Sequence, residues 1–536
     1  MFLLVCCSVS FLSLGQGAPI AWDDTRRSAW PAEFSEVGIP SSADGAVQKA
    51  YFYRTPSAKP QPLIVSLHTW SGDYTQRDPL VAEIAARGWN YIHPDFRGTN
   101  NKPEATASPL VVSDIEDAIR YALENSNSDP ENVHILGVSG GGLATLLAYM
   151  NVDVPVKSFS AWAPISDLNA WYWESVGRKQ RYAQDILKSV SEDDEFDWRE
   201  AVARSPLHQP IPAGRLSEAE LFIYTGVHDG YTGSVPVTHS IKFYNKLVLD
   251  SLGRVPMLRS ADVMQVVSPE EIEMVLTMRG MPDPDPENTI DGRQIHIEKD
   301  LGNLHLTLFE GGHEQLPRAL SMIPVTGQES HLALNIFTIG DSNGQNRGGW
   351  VDQLRTFLPN STIHNSSQGG RTIGFDNLGR PELNALRNVE GYLDRAREQL
   401  PQGKYDYLIL CLGTNDTKAE FAEQQDEVVE NFGKLLDRIK SHRLYRRDRP
   451  KLVFMTPPPM GVEDMEAKYV GGNDRLRSLV PQLMEIAVRK GFSVIDVFHP
   501  MQPVFRIYAP DGVHMVPEGQ QILAAKLVER IEELQK

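Results

Sequence analysis

The chain has little cysteine, less positive than negative charge, and no long apolar run beyond its first residues, and each shortage closes off a class of protein. Of three cysteines, Cys6 and Cys7 lie in the opening apolar stretch. A disulfide framework is therefore excluded, and only Cys411 is expected in the processed chain, with no intramolecular disulfide. Fifty-two Lys and Arg stand against 70 Asp and Glu, a formal charge of -18. That balance repels the phosphate backbone a nucleic-acid partner presents, and a neutral or uncharged-ester substrate suits it better. After the opening MFLLVCCSVSFLSLGQG, no stretch reaches the roughly 18 apolar residues a membrane span needs. The opening itself is too short to span, and Gly15 and Gly17 sit third and first before a possible cleavage point. Residues 1–17 read as a signal peptide, so the expected location is secreted or periplasmic.

Other absences narrow the chemistry. No repeat of about 20 to 50 residues recurs, which excludes solenoids and propellers. No G-x-G-x-x-G with a following acidic residue marks a dinucleotide site. His313-Glu314 begins like the metalloprotease H-E-x-x-H, but Pro317 stands where the second histidine must be. No metal site and no cofactor are implied.

What the sequence does have is enough chain for several domains, 536 residues with 41% hydrophobic and 23% charged, at roughly 150 residues per domain. Strand-like runs alternate with helical patterns twice over, which predicts two α/β units. The first unit, residues 20–325, runs from PLIVSLHTW through WNYIHPDF, VHILGVSGGG, SFSAWAP and ELFIYTGVHD to LHLTLFEGGH, with amphipathic SDIEDAIRYALENS between strands. Its strands are continuous apolar runs, as a parallel sheet covered on both faces requires. An insertion at about 251–300 separates its last two strands and could roof a pocket. A fresh series, NIFTIGDSNG, YLILCLGTND, PKLVFMTPPP and FSVIDV, makes the second unit, 328–536.

The sharpest signal in the first unit is Gly137-Val-Ser139-Gly140-Gly141, after the strand VHIL and before the helix GLATLLAYM. A serine on so tight a strand-to-helix turn needs neighbours without side chains, and its hydroxyl is left exposed above the sheet. That hydroxyl needs a histidine to take its proton and a carboxylate to orient the histidine. Asp229, 90 residues on, ends the strand ELFIYTGVHD, and His313 follows LHLTLFEGG. Asp167, after SFSAWAPIS, is the rival acid; Asp229 is preferred because it is one strand closer to the histidine. His305 within a strand and His239 within a helix pattern read as structural. Trp162, Trp171, Tyr172 and Trp173 either stack on sugar rings or pack in a core.

Residues 20–325 resemble an α/β-hydrolase of the prolyl-oligopeptidase-like and acetyl-xylan-esterase-like group, on DFRG at 95–98, GVSGGG at 137–142 and the run Gly226, Asp229, Val235, Pro236. The resemblance implies an oxyanion hole made by the Gly140 N–H and one from the His68-Thr-Trp70 loop, with Trp70 as second donor. Oligopeptidases of the group carry a β-propeller of roughly 40 to 45 residues per blade. Only about 60 residues precede PLIVSLHTW, which favours an esterase.

In the second unit Gly340-Asp341-Ser342 closes LNIFTI, Gly369-Gly370-Arg371 follows IHNSSQ, Gly413-Thr-Asn415-Asp416 follows YLILCL, and Asp511-Gly-Val-His514 precedes a helix. Each block falls at a strand end or helix start, where open α/β sheets bind ligands. The blocks resemble the SGNH (GDSL-type) hydrolases, and the N-x-x-x-x-G-G-R-T stretch is similar to that of carbohydrate acetylesterases. The resemblance implies a flavodoxin-like three-layer α/β/α fold, with Ser342 as nucleophile, His514 as base and Asp511 holding its tautomer. It further implies oxyanion donors from Ser342 N–H, Gly370 N–H and the Asn415 amide; Gly370 is taken over Gly369 because the family's glycine directly precedes the Arg-Ser/Thr pair. Asn473 and Asp474, in a second G-x-N-D string, are expected to cap a helix, and Asp341 and Asp416 to bond nearby backbone.

The expectation is a secreted bifunctional serine esterase that removes acyl, chiefly acetyl, groups from an acylated polysaccharide or oligosaccharide. The alternatives are an SGNH acetylesterase whose first unit only binds or supports, and a peptidase or lipase.

Overall fold

The computed structural model describes residues 22–23, 29–191, 195–252 and 265–536. The signal expected at 1–17, with Cys6 and Cys7, lies outside the described residues, as does 253–264 of the insertion. Cys411 is buried and free.

The first sheet has ten strands: β1 (Ser35–Pro40), β2 (Val47–Tyr53), β3 (Gln61–Leu67), β4 (Asn90–Pro94), β5 (Ser128–Val138), β6 (Ser158–Trp162), β7 (Glu220–Gly226), β8 (Thr289–Ile290), β9 (Arg293–Leu301) and β10 (Leu304–Phe309). Their order is β1-β2-β4-β3-β5-β6-β7-β10-β9-β8. The run from β4 to β10 is parallel. Its central strands are buried along nearly their whole length, as the apolar runs require. At one end β1 and β2 add antiparallel strands before PLIVSLHTW. At the other, β9 pairs antiparallel with β10. The last part of the insertion thus widens the sheet rather than roofing a pocket, because alternate residues of RQIHIEKDL face the core.

The second sheet has β11 (Asn335–Gly340), β12 (Thr362–Asn365), β13 (Tyr407–Cys411), β14 (Lys451–Met455) and β15 (Ser493–Ile495) in the order β12-β11-β13-β14-β15, all parallel. This is the doubly wound order with its reversal between β11 and β13. Ile336 faces one core with the helices Trp350–Phe357 and Pro517–Gln535, and Phe337 the other with Ala385–Gln399 and Gln425–Ser441. Alternation along one strand therefore serves two helix layers. The helix after the second G-x-N-D string starts at Gly472 with Gly471 as its cap. Asn473 lies inside its first turn, where its Oδ1 accepts from Met460 N–H, so it is not the cap expected.

The two units meet on the helix Val81–Arg87. Ala86 joins the core that contains Tyr508 and Met515. Arg87 pairs with Glu83 at 2.7 Å and donates to Tyr508 Oη at 3.0 Å and Ser321 Oγ at 2.7 Å. The Tyr508 hydroxyl in turn donates to Glu83. Among the described residues no helix is long and apolar enough to cross a membrane.

Candidate functional site

At the end of β5 the chain turns into the helix Gly140–Asn151 through Ser139, whose φ of 59° and ψ of -115° lie where non-glycine residues rarely sit. A side chain at Gly137 would meet Gly141 O at 2.4 Å, which is why the turn is built from glycine. A side chain at Gly140 would meet Trp70 N at 2.3 Å, so the His68-Thr-Trp70 loop is packed against the elbow. Gly140 N–H opens a helix and has no partner within it. The fold thus brings the two expected oxyanion donors, Gly140 and Trp70, side by side.

Asp229 and His313 come from the loops after β7 and β10, which run in register. His313 Nδ1 lies 2.7 Å from Asp229 Oδ2. Asp229 Oδ1 accepts from Gly230 N–H at 2.9 Å and Val235 N–H at 3.1 Å, so the carboxylate is buried and held on both oxygens. Asp167 instead caps the helix Leu168–Gly177 through Ala170 N–H. Ser139 Oγ makes no hydrogen bond to His313 among the described residues. Trp22 stands edge-on to the His313 ring at 5.2 Å. His239 bonds Glu174 and Ser166, and His305 bonds Asp300, as structural histidines do.

The aromatic cluster separates. Trp162 is buried and stacks on Tyr224 at 4.2 Å, which removes it from any sugar. Trp171 is also buried. Its ring packs edge-on to Trp70 at 4.7 Å, and its Nε1 donates to Ser234 O at 3.0 Å. It therefore ties the Trp70 loop to the Asp229 loop rather than stacking on substrate. Only Trp173 is open, at 59% exposure. Trp162 closes β6, whereas Trp171, Tyr172 and Trp173 share one helix, and the sequence pattern carried no information on their depth.

In the second unit the serine, histidine and acid make one continuous relay. Ser342 opens a short helix at the carboxyl end of β11, beside the reversal of strand order. His514 Nε2 lies 3.0 Å from Ser342 Oγ, and His514 Nδ1 2.6 Å from Asp511 Oδ2. Burial alone would raise the Asp511 carboxyl, but the N–H groups of His514 and Val513 and the imidazole hold it below its ordinary value. Asn343, which the sequence reading passed over, fastens this loop to the nucleophile turn. Its Nδ2 donates to Val513 O at 3.3 Å, and its Oδ1 accepts from Gln520 Nε2 at 2.6 Å. Only its place directly after Ser342 could have pointed to it.

The donors fall as follows. Gly369 N–H is taken by Gln345 Oε1 at 2.5 Å, whereas Gly370, at φ 81°, has no acceptor for its N–H among the described residues. Asn415 Nδ2 gives one hydrogen to Arg371 O at 3.2 Å and keeps the other. Asp416 accepts Ile373 N–H on both oxygens and so pins the Gly370-Arg371 loop to the Asn415 turn. Burial pushes its carboxyl up to about 8. Asp341 is buried, accepts Asn343 N–H, and is likewise raised by burial. A nucleophile bonded to a base, a base bonded to an acid, and unpaired donors beside them can attack and release an ester. Among the described residues no group of three His, Cys, Asp or Glu could hold a metal ion.

Two different family models match separate stretches of the chain. Residues 337–522 match the GDSL-like lipase/acylhydrolase family and 78–260 the prolyl oligopeptidase family. The uncharacterized protein YfhR of Salmonella typhi is 24% identical over 151 residues, 28% of this chain and 51% of that protein. The chain thus spans about half the length of the curated relatives it matches. Similar solved structures include Est24, a carbohydrate acetylesterase from Sinorhizobium meliloti, at 19% identity and TM-score 0.31 over 38% of this chain and 99% of that one. Another is the Pyrococcus horikoshii acylaminoacyl peptidase, at 20% identity and TM-score 0.34 over 41% of this chain and 35% of that one. The family matches and the two sheets together make the first unit an α/β-hydrolase fold and the second an SGNH fold.

Proposed function

We propose that the chain is an exported serine esterase that removes acetyl groups from carbohydrate, with Ser342, His514 and Asp511 as its principal catalytic triad. The observation that carries this reading is the unbroken Asp511–His514–Ser342 relay beside unpaired donors. His514 Nε2 takes the Ser342 proton as Oγ attacks the ester carbonyl. The developing oxyanion is met by Ser342 N–H, Gly370 N–H and Asn415 Nδ2, each donor of this kind contributing about 3 to 4 kcal/mol in comparable enzymes. His514 then protonates the leaving sugar hydroxyl, and water, deprotonated by the same imidazole, frees acetate and restores Ser342.

In this proposal the first unit holds a second esterase site built from Ser139, His313 and Asp229, with Gly140 and Trp70 as donors. The absence of a Ser139–His313 hydrogen bond favours a second reading, in which that unit supports the other and does no chemistry of its own. The measurement that separates them is acetate release from a panel of acetylated polysaccharides by the full chain, by Ser139→Ala and by Ser342→Ala. Two serine variants with different residual substrate preferences support two sites. If the Ser139→Ala chain matches the native one on every substrate and the Ser342→Ala chain is inert, the first unit is a support. Full acetate release by the Ser342→Ala chain overturns the assignment.

A further inference from the structure

Among the clefts of the second unit that the proposed reaction leaves unused, one adjoins the nucleophile turn. It has a volume of about 320 Å³ and is lined by Gln345, Ser367, Gln368, Arg371, Tyr392 and Arg395, among others. It shares a wall with the active site. Gln345 lies on the short helix that Ser342 opens, and its side chain holds Gly369 N–H. Arg371 directly follows Gly370.

Arg371 is only 2% exposed. Its guanidinium donates to Gly340 O, Ser366 O and Gln368 Oε1 and lies 4.2 Å from the centre of the Tyr392 ring. Its Nε has no acceptor, and among the described residues no carboxylate forms an ion pair with it. Buried arginines are rare unless paired, because taking the charge out of water is costly. Burial accordingly pulls the Arg371 guanidinium below its ordinary value, and the buried Asp341 nearby acts on it only through space. A second guanidinium, Arg395, stands 5.3 Å from the same Tyr392 ring on the exposed rim, also without an ion-pair partner among the described residues. The Ser367 hydroxyl is buried and unpartnered. The lining holds two cations, hydroxyls and amides and no acidic side chain, in a chain of charge -18.

We propose that this cleft is a subsite for an anionic group, a carboxylate or a sulfate ester, carried by a sugar next to the acetylated one. The substrate class is then an acidic carbohydrate. The inference rests on the reading of Ser342 as a carbohydrate deacetylase nucleophile, and it accounts for a buried arginine that the reaction itself leaves without a counter-charge. Guanidinium groups suit both anions, since their paired N–H donors match planar carboxylate and sulfate oxygens.

The test uses the full-length Ser342→Ala chain, which cannot turn substrate over at this site, titrated by calorimetry. The probes are a glucuronate-bearing xylo-oligosaccharide, a sulfated one and an uncharged one of equal length. At least one anionic probe is expected to bind ten times more tightly than the uncharged one, and the stronger of the two identifies the anion. Arg395→Gln should remove that advantage while leaving the affinity for the uncharged probe within twofold. With Ser342 intact, Arg395→Gln should also leave turnover of an uncharged aryl acetate within twofold. Arg371→Met serves as a second variant if it folds; Arg395, at the rim, keeps the test open if it does not. Equal affinity for all three probes overturns the subsite, as does equal loss of charged and uncharged binding in Arg395→Gln. Binding of inorganic sulfate without any preference among the oligosaccharides overturns it too. Aryl acetate turnover is read separately. If it persists in the native chain while the anionic preference is absent, the subsite fails and the esterase stands. An anionic preference without turnover leaves a binding cleft and removes the esterase.

Discussion

The two sites keep their serines ready in different ways. Ser139 is held by its backbone, in a positive-φ turn that only tight packing sustains, and its histidine and acid arrive from two strands 84 residues apart. Ser342 is held by side chains, and its histidine and acid share one short loop, three residues apart. A strained elbow stays in place whether or not it reacts, because the sheet around it fixes it. A hydrogen-bonded relay consists of the contacts that chemistry itself uses, with Asn343 fastening its loop to the nucleophile turn. The difference teaches that an intact elbow is weaker evidence of activity than an intact relay.

The largest effect that sharpens this contrast is Ser342→Ala in a Ser139→Ala background. Aryl acetate turnover should fall by several orders of magnitude, roughly 10⁶ for loss of a triad serine in a comparable enzyme. Equal turnover in the double and single variants would break it by removing any role for one serine. Next come the acids. Asp511→Asn should lower kcat of the second site by about 10⁴, because the amide orients the wrong imidazole tautomer. If the first site is active, Asp229→Asn should damage its residual activity far more than Asp167→Asn; equal losses in folded variants would show the acid wrongly chosen. Asn415→Ala should cost about 10² to 10³ in kcat with KM little changed, as read from steady-state kinetics.

The smallest effects concern stability. Burial raises Asp416 from 3.8 to about 8, so the folded chain holds an extra proton across that window. Its stabilising share is complete below pH 3.8 and lost as pH rises through about 8, with a slope of at most about 1.4 kcal/mol per pH unit. Asp416→Asn should flatten the decline of the urea midpoint over that range, and an unchanged slope would refute the assignment.

Much of this was legible because the chemistry needs short, rigid strings. The elbow glycines answer to contacts within a few residues, and the Asp511–His514 spacing closes a single turn. The parallel strands were legible because burial on both faces forces unbroken apolar runs. The strands β1 and β2 were not, since SEVGIP is largely solvent-facing at a sheet edge and carries no such run. Nor was β9, whose half-buried alternation interleaves charged residues with the apolar ones. The tryptophans misled because a helix pattern gives direction but not depth: Trp171 points inward to brace two loops. The unpaired Arg371 was invisible as well, since only folding shows that, among the described residues, no carboxylate comes close enough to pair with it.

The join between the units has a further consequence for recombination. Tyr508 lies three residues before Asp511, and its carbonyl accepts Val516 N–H at 2.7 Å, closing the loop that carries the relay, while its hydroxyl reaches into the first unit. A chimera that grafted residues 328–536 onto a foreign partner would therefore cut through a buried charge cluster, leaving the Tyr508 hydroxyl without Glu83 and Arg87. The two hydrolase folds are not interchangeable cassettes: any exchange that keeps the second unit must carry the helix Val81–Arg87 and Ser321 with it.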